Sequence, residues 1–259
     1  MTPLVLDSAA ITNAIAGFLW PFFRFGALFA IMPVLGGGEV PAKVRIALAL
    51  VLTALVVPIL PPPPALDPLS AASILVTLQE FVIGFAMGLL ILIVFNAITL
   101  AGESIAITMG LGFALMNDPQ NGVSVPTVSR FYLTLATLLF LSLDGHHAVL
   151  ALAVSSFHTL PVGGSLGPDA TWQLLSWAAV IFRGALGVAL PGLAAMLTVN
   201  LLMGVMTRSA PQMNIFSVGF PLTMMTGFLA ILLTLPAFGE RFTALVGEAL
   251  DVIAALIGH

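Results

Sequence analysis

Apolar residues run along this 259-residue chain in long blocks, each closed by a short cluster of Gly, Pro and polar residues. A helix needs about 20 predominantly apolar residues to cross a hydrocarbon core of about 30 Å, and most of the blocks read as such helices. The first, residues 10–35, exceeds that length and contains Trp20, Pro21 and Arg24. A kink is expected near Pro21, because proline removes a backbone donor and crowds the preceding turn. Gly36, Gly37, Gly38, Glu39, Val40 and Pro41 form a loop, residues 44–60 cross back, and Pro61 to Pro64 with Asp67 and Pro68 make a short stiff connector. Residues 69–100 are long for one span, so the helix is strongly tilted or extends beyond the bilayer. Gly84 and Gly88 have the small-xxx-small spacing that lets two helix backbones approach, and Gly102 with Glu103 is expected to end this helix.

Further on, residues 131–143 and 148–160 are two half-spans or a hairpin around Asp144-Gly145-His146-His147. Residues 161–169 are a Gly/Pro/Ser loop. Trp172 then opens an apolar region to residue 206 that contains Arg183, Pro191 and Gly192 and fits a bent helix pair or one broken helix. Residues 207–214 are a polar break, and residues 215–235 are again apolar. Gly239, Glu240 and Arg241 are expected as a last turn before a final amphipathic helix, residues 242–257, which carries Glu248 and Asp251. This pattern predicts an all-α polytopic membrane protein of six to eight kinked helical segments and hairpins, forming a single membrane unit over residues 1–259.

One stretch suits neither a membrane helix nor a soluble domain: residues 110–126, GLGFALMNDPQNGVSVP. The apolar part that leads into it, residues 105–116, is too short to span, and the remainder is rich in Asn, Asp, Pro and Gly, which favour turns. Within a membrane, irregular backbone survives only where it is buried in protein or lines a watery cavity. Residues 110–126 are therefore the expected functional centre.

Composition agrees with the helix pattern. The chain is 60% hydrophobic and 7% charged, with mean hydropathy +1.17, whereas soluble domains carry about 25% charged residues. Eleven acids against seven bases leave a net charge of -4. That balance provides no basic stripe for nucleic acid, which is excluded as a partner, and no polybasic tail for anionic lipid. With no cysteine, disulfides, thiolate nucleophiles and Cys-ligated metals are excluded. Asp7, with no Lys or Arg before the first apolar run, argues against a cleaved signal peptide, so the first span is expected to be retained. Lys43 and Arg45 are the one close pair of basic residues, which places their loop in the cytoplasm and the N-terminus outside by the positive-inside rule.

Catalytic motifs are not found. HExxH and GxSxG are absent, and Gly110-x-Gly112 has neither the strand nor the lysine of a nucleotide loop. An enzyme is not expected, and no cofactor or metal is called for. Asp144-Gly145-His146-His147 is the nearest approach to a metal cluster, but adjacent imidazoles on a turn are expected to point in different directions, and the motif reads as a structural turn. The ionisable residues inside apolar runs are Arg24, Glu80, Glu103 and Arg183. A charge at the bilayer centre costs on the order of 2.5–3.5 kcal/mol, so pairing between helices is expected, Arg24 or Arg183 with Glu80 or Glu103. The sharper alternative, an ion pathway, lacks an evident chain of titratable groups.

Several of these patterns, in order, resemble the FliR family of the flagellar type III secretion export gate. They are Arg24, Pro33, Pro41 and Arg45; Glu80 with Gly84 and Gly88; Ala101-Gly102-Glu103; Asp118-Pro119; Asp144-Gly145-His146-His147; Ser156-Phe157 and Pro161; and PQMNIFSVGFP at 211–221, where Pro211, Gln212, Asn214 and Pro221 are the family-motif positions. The resemblance implies a single copy in a helical assembly with FliP and FliQ homologues, with FlhB and FlhA homologues as further partners and unfolded flagellar proteins as cargo. It implies a FliP-like part to about residue 170 and a FliQ-like hairpin part over about 171–259. The location it implies is the bacterial inner membrane within the flagellar basal body, extending toward the periplasm. It further implies that the central loop projects into the export channel as a plug made of Gly110, Leu111, Gly112, Phe113, Leu115, Met116, Asn117 and Asp118. In that setting Phe113, Leu115 and Met116 would seal by apolar contact and Gly110, Gly112 and Gly122 would be hinges, while residues 117–126 form a polar return. The rival expectation is a small secondary transporter with a midplane site, in which Glu80 and Arg183 are the coupling pair.

Overall fold

The computed structural model describes residues 8–38, 40–64, 66, 70–111, 127–209 and 215–258. Among these residues there are eight α-helices and no strand. They are α1 (Ser8–Ile31), α2 (Ala42–Val56, continued by a 3-10 turn Val57–Ile59), α3 (Ala71–Thr108), α4 (Thr127–Ser142), α5 (Gly145–Thr159), α6 (Pro168–Trp177), α7 (Val180–Ser209) and α8 (Ile215–Leu256). Four stretches are long and apolar enough to cross a membrane: Ala42–Ile59, Ala71–Thr108, Pro168–Ser209 and Gly219–Leu256. Helices α4 and α5, bent by 61° at their junction, make a fifth if counted as one broken span. The fold is all-α and polytopic, as the apolar blocks predict.

Two expected helix ends do not exist. Helix α3 continues through Gly102 and Glu103 to Thr108. The glycine serves close packing, since a Cβ on Gly102 would lie 2.5 Å from Ser129 Cα at the start of α4. Helix α8 likewise continues through Pro236, Gly239, Glu240 and Arg241. Phe238 and Phe242, one turn apart on the same face, bracket the expected turn and stack at 6.0 Å. Phe238 also packs on Tyr132 at 5.2 Å and Phe242 on Phe95 at 5.7 Å. These buried rings outweigh the propensity cost of one glycine, about 1 kcal/mol.

Close contacts group the chain into two compact units. The first comprises Met1–Leu92, Asp144–Ala178 and Glu248–His259, and the second Ile93–Leu143 and Ala179–Gly247. In the first unit α1 packs against the first half of α3 around Phe25, Leu28, Met32, Ile83 and Met87, all buried. Gly84 and Gly88 make this approach possible: a Cβ on Gly84 would overlap the Arg24 carbonyl oxygen, and one on Gly88 would lie 3.0 Å from the Leu28 carbonyl oxygen. The second unit is built on Phe95, which meets Phe140 and Phe242 edge-on. There Gly184 of α7 sits against Ala97 and Leu245.

Candidate functional site: a buried ion pair and the flanks of the central segment

Arg24 on α1 and Glu80 on α3 meet inside the first unit, both fully buried. The contact is bidentate, with Arg24 Nε donating to Glu80 Oε2 at 2.6 Å and Nη2 to Oε1 at 3.0 Å. Two further donors are used as well: Nη1 reaches Ser156 Oγ at 2.9 Å and Nη2 the Leu160 carbonyl at 3.1 Å. The Gly163 amide donates to Glu80 Oε1 at 3.4 Å, and the guanidinium carbon stands 4.0 Å from the centroid of the Phe157 ring. Sequence spacing explains how the pair forms. Glu80 and Gly84 are one turn apart on the same face of α3, so the glycine that admits the Arg24 backbone also brings its side chain level with the carboxylate. Planar guanidinium and carboxylate groups match in this fork geometry, and removing one partner of such a buried pair costs about 3–5 kcal/mol.

The four expected intramembrane charges therefore separate. Arg24 and Glu80 come together, whereas Glu103 is half-buried on α3 and Arg183 is exposed on α7. Ser156, Phe157, Leu160 and Gly163 complete the cluster. The sequence signal for them was a polar interruption in an apolar block, Ser155-Ser156-Phe157-His158-Thr159, running into the loop at Pro161.

The second feature is the pair of flanks around the central segment. Gly112, Phe113, Leu115, Met116, Asn117 and Asp118 lie outside the described residues, as does Gly122; so do Pro211, Gln212 and Asn214, while Pro221 is within α8 and exposed. The upstream flank is well defined. Gly110 has φ 83; its amide donates to the Ile107 carbonyl and that of Leu111 to the Ala106 carbonyl, each at 3.0 Å. This is a Schellman end, in which a left-handed glycine lets two amides cap the last free carbonyls of a helix. Helix α8 braces the same point: Thr223 Oγ1 donates to the Met109 carbonyl at 3.4 Å, and a Cβ on Gly110 would lie 3.2 Å from Phe220 Cδ2. Gly227 faces the Met109 side chain so closely that a Cβ there would overlap it. Downstream, the start of α4 is held by the contact between Gly102 and Ser129. Gly102 and Gly110 are eight residues apart, about 12 Å along the helix, so the start of α4 and the end of α3 are held about two turns apart along α3.

A third feature corrects an expectation. His146 and His147 do not point apart; their ring centroids are 4.0 Å from each other. Asp144 adopts the left-handed conformation, φ 54, immediately before the first turn of α5, which carries both histidines. His147 Nδ1 is 3.0 Å from Asp144 Oδ1. One ligand atom from each of Asp144, His146 and His147 lies within 4.8 Å of the others, with Asp144 and His147 exposed and His146 half-buried.

Residues 15–249 match the sequence profile of the bacterial export proteins, family 1. The chain belongs to that family. Among relatives, the flagellar biosynthetic protein FliR of Pectobacterium carotovorum subsp. carotovorum is 37% identical over 258 residues, covering 98% of this chain and 97% of the relative. FliR of Escherichia coli is 35% identical over 93% of each chain. FliR of Bacillus subtilis is 29% identical over 96% of this chain and 98% of the relative. The FliR resemblance drawn from scattered motifs thus holds across almost the whole length. The export-protein profile spans Arg24, Glu80, Asp144, His146 and both flanks of the central segment.

Proposed function

We propose that this chain is a core subunit of the flagellar type III protein export gate, and that it helps form the channel for unfolded flagellar proteins and closes it at rest with residues 110–121. The observation that carries the closure is the flank geometry. A Schellman turn at Gly110, braced by α8, and the Gly102–Ser129 contact hold both ends of one segment against rigid helices. A segment fixed at its ends and apolar in its first half can seat in a ring of neighbouring subunits and withdraw as a unit. In this role the chain is not an enzyme; it works as a wall and a stopper.

The partners are FliP and FliQ homologues in a helical assembly, with FlhB and FlhA homologues at its base. The assembly belongs to the bacterial inner membrane at the flagellar basal body. Exposed apolar side chains on α7 and α8, among them Leu201, Val205, Met225 and Leu233, each at least 65% exposed, supply surface for such neighbours and for lipid. The transporter alternative loses its coupling carboxylate, because both oxygens of Glu80 are held by Arg24. Purification of the tagged full-length chain from its native membrane tests the assignment. Two other hydrophobic proteins in fixed, unequal ratio are expected to come with it; a lone chain that binds a small solute would overturn it.

A further inference from the structure

We propose that Asp144, His146 and His147 form a binding site for one divalent transition cation, with zinc the best fit, at the turn that opens α5. A ligand atom from each of the three lies within 4.8 Å of the other two. Around zinc, with nitrogen and oxygen donors at about 2.0–2.2 Å, tetrahedral ligand atoms stand about 3.4 Å apart. The set is therefore open by at most about 1.4 Å. Small rotations close it. Asp144 and His147 are 73% and 68% exposed and free to turn, while the half-buried His146 is the fixed member.

Each donor is available to a metal. Asp144 holds the N-cap position of α5, where an aspartate ordinarily accepts from an amide of the first turn, yet its side chain caps none. Its Oδ1 faces His147 Nδ1 at 3.0 Å, already close to the spacing of two ligand atoms on one zinc ion. A cation entering there takes the Nδ1 lone pair, and the imidazole stays neutral with its proton on Nε2. His146 supplies an independent observation. Its Nδ1 is buried without a hydrogen-bond partner, and a buried polar atom is costly unless it is paired. A metal bond provides that partner.

The donor set selects the metal. Two imidazoles and one carboxylate suit zinc and its first-row neighbours, whereas magnesium and calcium take oxygen ligands. The chain has no cysteine to favour a softer ion. Three protein ligands leave one coordination position for water, as in open zinc sites. Asp144 lies just outside α5 and both histidines are in its first turn, so the bound cation pins the turn residue to the helix.

Calorimetric titration with zinc chloride tests the site on the full-length chain, carrying a tag free of histidine, purified with its partner proteins and stripped of metal by a chelator. One zinc ion per copy of this chain is expected to bind at the site. Loss of an outer-shell partner typically costs a metal site 10–100-fold in affinity, so loss of a ligand in His147→Ala or Asp144→Asn should weaken binding at least about tenfold. Both side chains are exposed, so neither variant should lose its fold. His158→Ala, at an exposed histidine in the last turn of α5, should leave zinc binding unchanged, and equimolar magnesium should not compete. Zinc affinity unchanged in either site variant, an equal loss in His158→Ala, or displacement of zinc by equimolar magnesium would each overturn the proposal.

Discussion

Helices α3 and α8 are the two longest among the described residues, 38 and 42 residues, and both are apolar enough to cross a membrane. Their surroundings differ. Of the spanning window in α3, 67% is buried by the rest of the chain, against 22% of that in α8. The more hydrophobic helix is the one less available to lipid. Helix α3 uses its apolar surface on the chain's own helices: α1 through Gly84 and Gly88, α4 through Gly102, and α8 through Met109. Helix α8 leaves Leu232, Leu233 and Met225 exposed. High hydropathy therefore marks burial of either kind, in protein or in lipid, and the glycines separate the two.

The largest effect that would break this comparison is at the buried pair. Glu80→Ala should destabilise the purified protein by about 3–5 kcal/mol, because it leaves the buried Arg24 charge without its carboxylate. The double variant Arg24→Met/Glu80→Leu should recover most of the loss in thermal unfolding. If it did not, the pair would hold more than charge complementarity. Next is Gly84→Val, whose Cβ meets the Arg24 carbonyl; overpacking against backbone is expected to reach at least the upper part of the usual range, about 1–3 kcal/mol. A variant with unchanged unfolding temperature would mean that α1 and α3 do not touch there.

Much of the fold was legible in the sequence because apolar blocks of membrane length leave few other structures. Helix ends were less so. Glycine is ambiguous: at Gly110 it ends a helix by adopting positive φ, while at Gly102 it remains helical and admits a neighbour. A sequence does not distinguish the two uses, since the neighbour is remote in the chain. The break between α6 and α7 falls at Ala178 and Ala179, with no Gly or Pro to announce it. Of the charges, the sequence left two acids and two bases open to pairing. The selection of Arg24 with Glu80 depends on which faces of α1 and α3 meet, and the contributions of Ser156, Leu160 and Gly163 depend on a fold contact more than 130 residues from Arg24 and more than 70 from Glu80 in the chain.

Smaller effects sharpen the contrast from the side of α8. Leu233→Ser, at a position 71% exposed, should change the stability of the isolated chain by no more than about 0.5 kcal/mol. It should nevertheless reduce copurification of the partner proteins if this face is an assembly surface. The smallest expected effect is Asp144→Asn. Its contact with His147 is 73% and 68% exposed on the two side chains, and exposed pairs contribute about 0–1 kcal/mol. Its unfolding curve should lie close to that of the unmodified protein, in contrast to Glu80→Ala.

Closure of the channel by the central segment is tested most directly by conductance. Membranes containing the assembled complex, with residues 110–118 deleted from this chain, should leak ions well above those containing the intact chain, provided the partner proteins are recovered in the same amounts. Unchanged conductance in the assembled deletion variant would contradict the account.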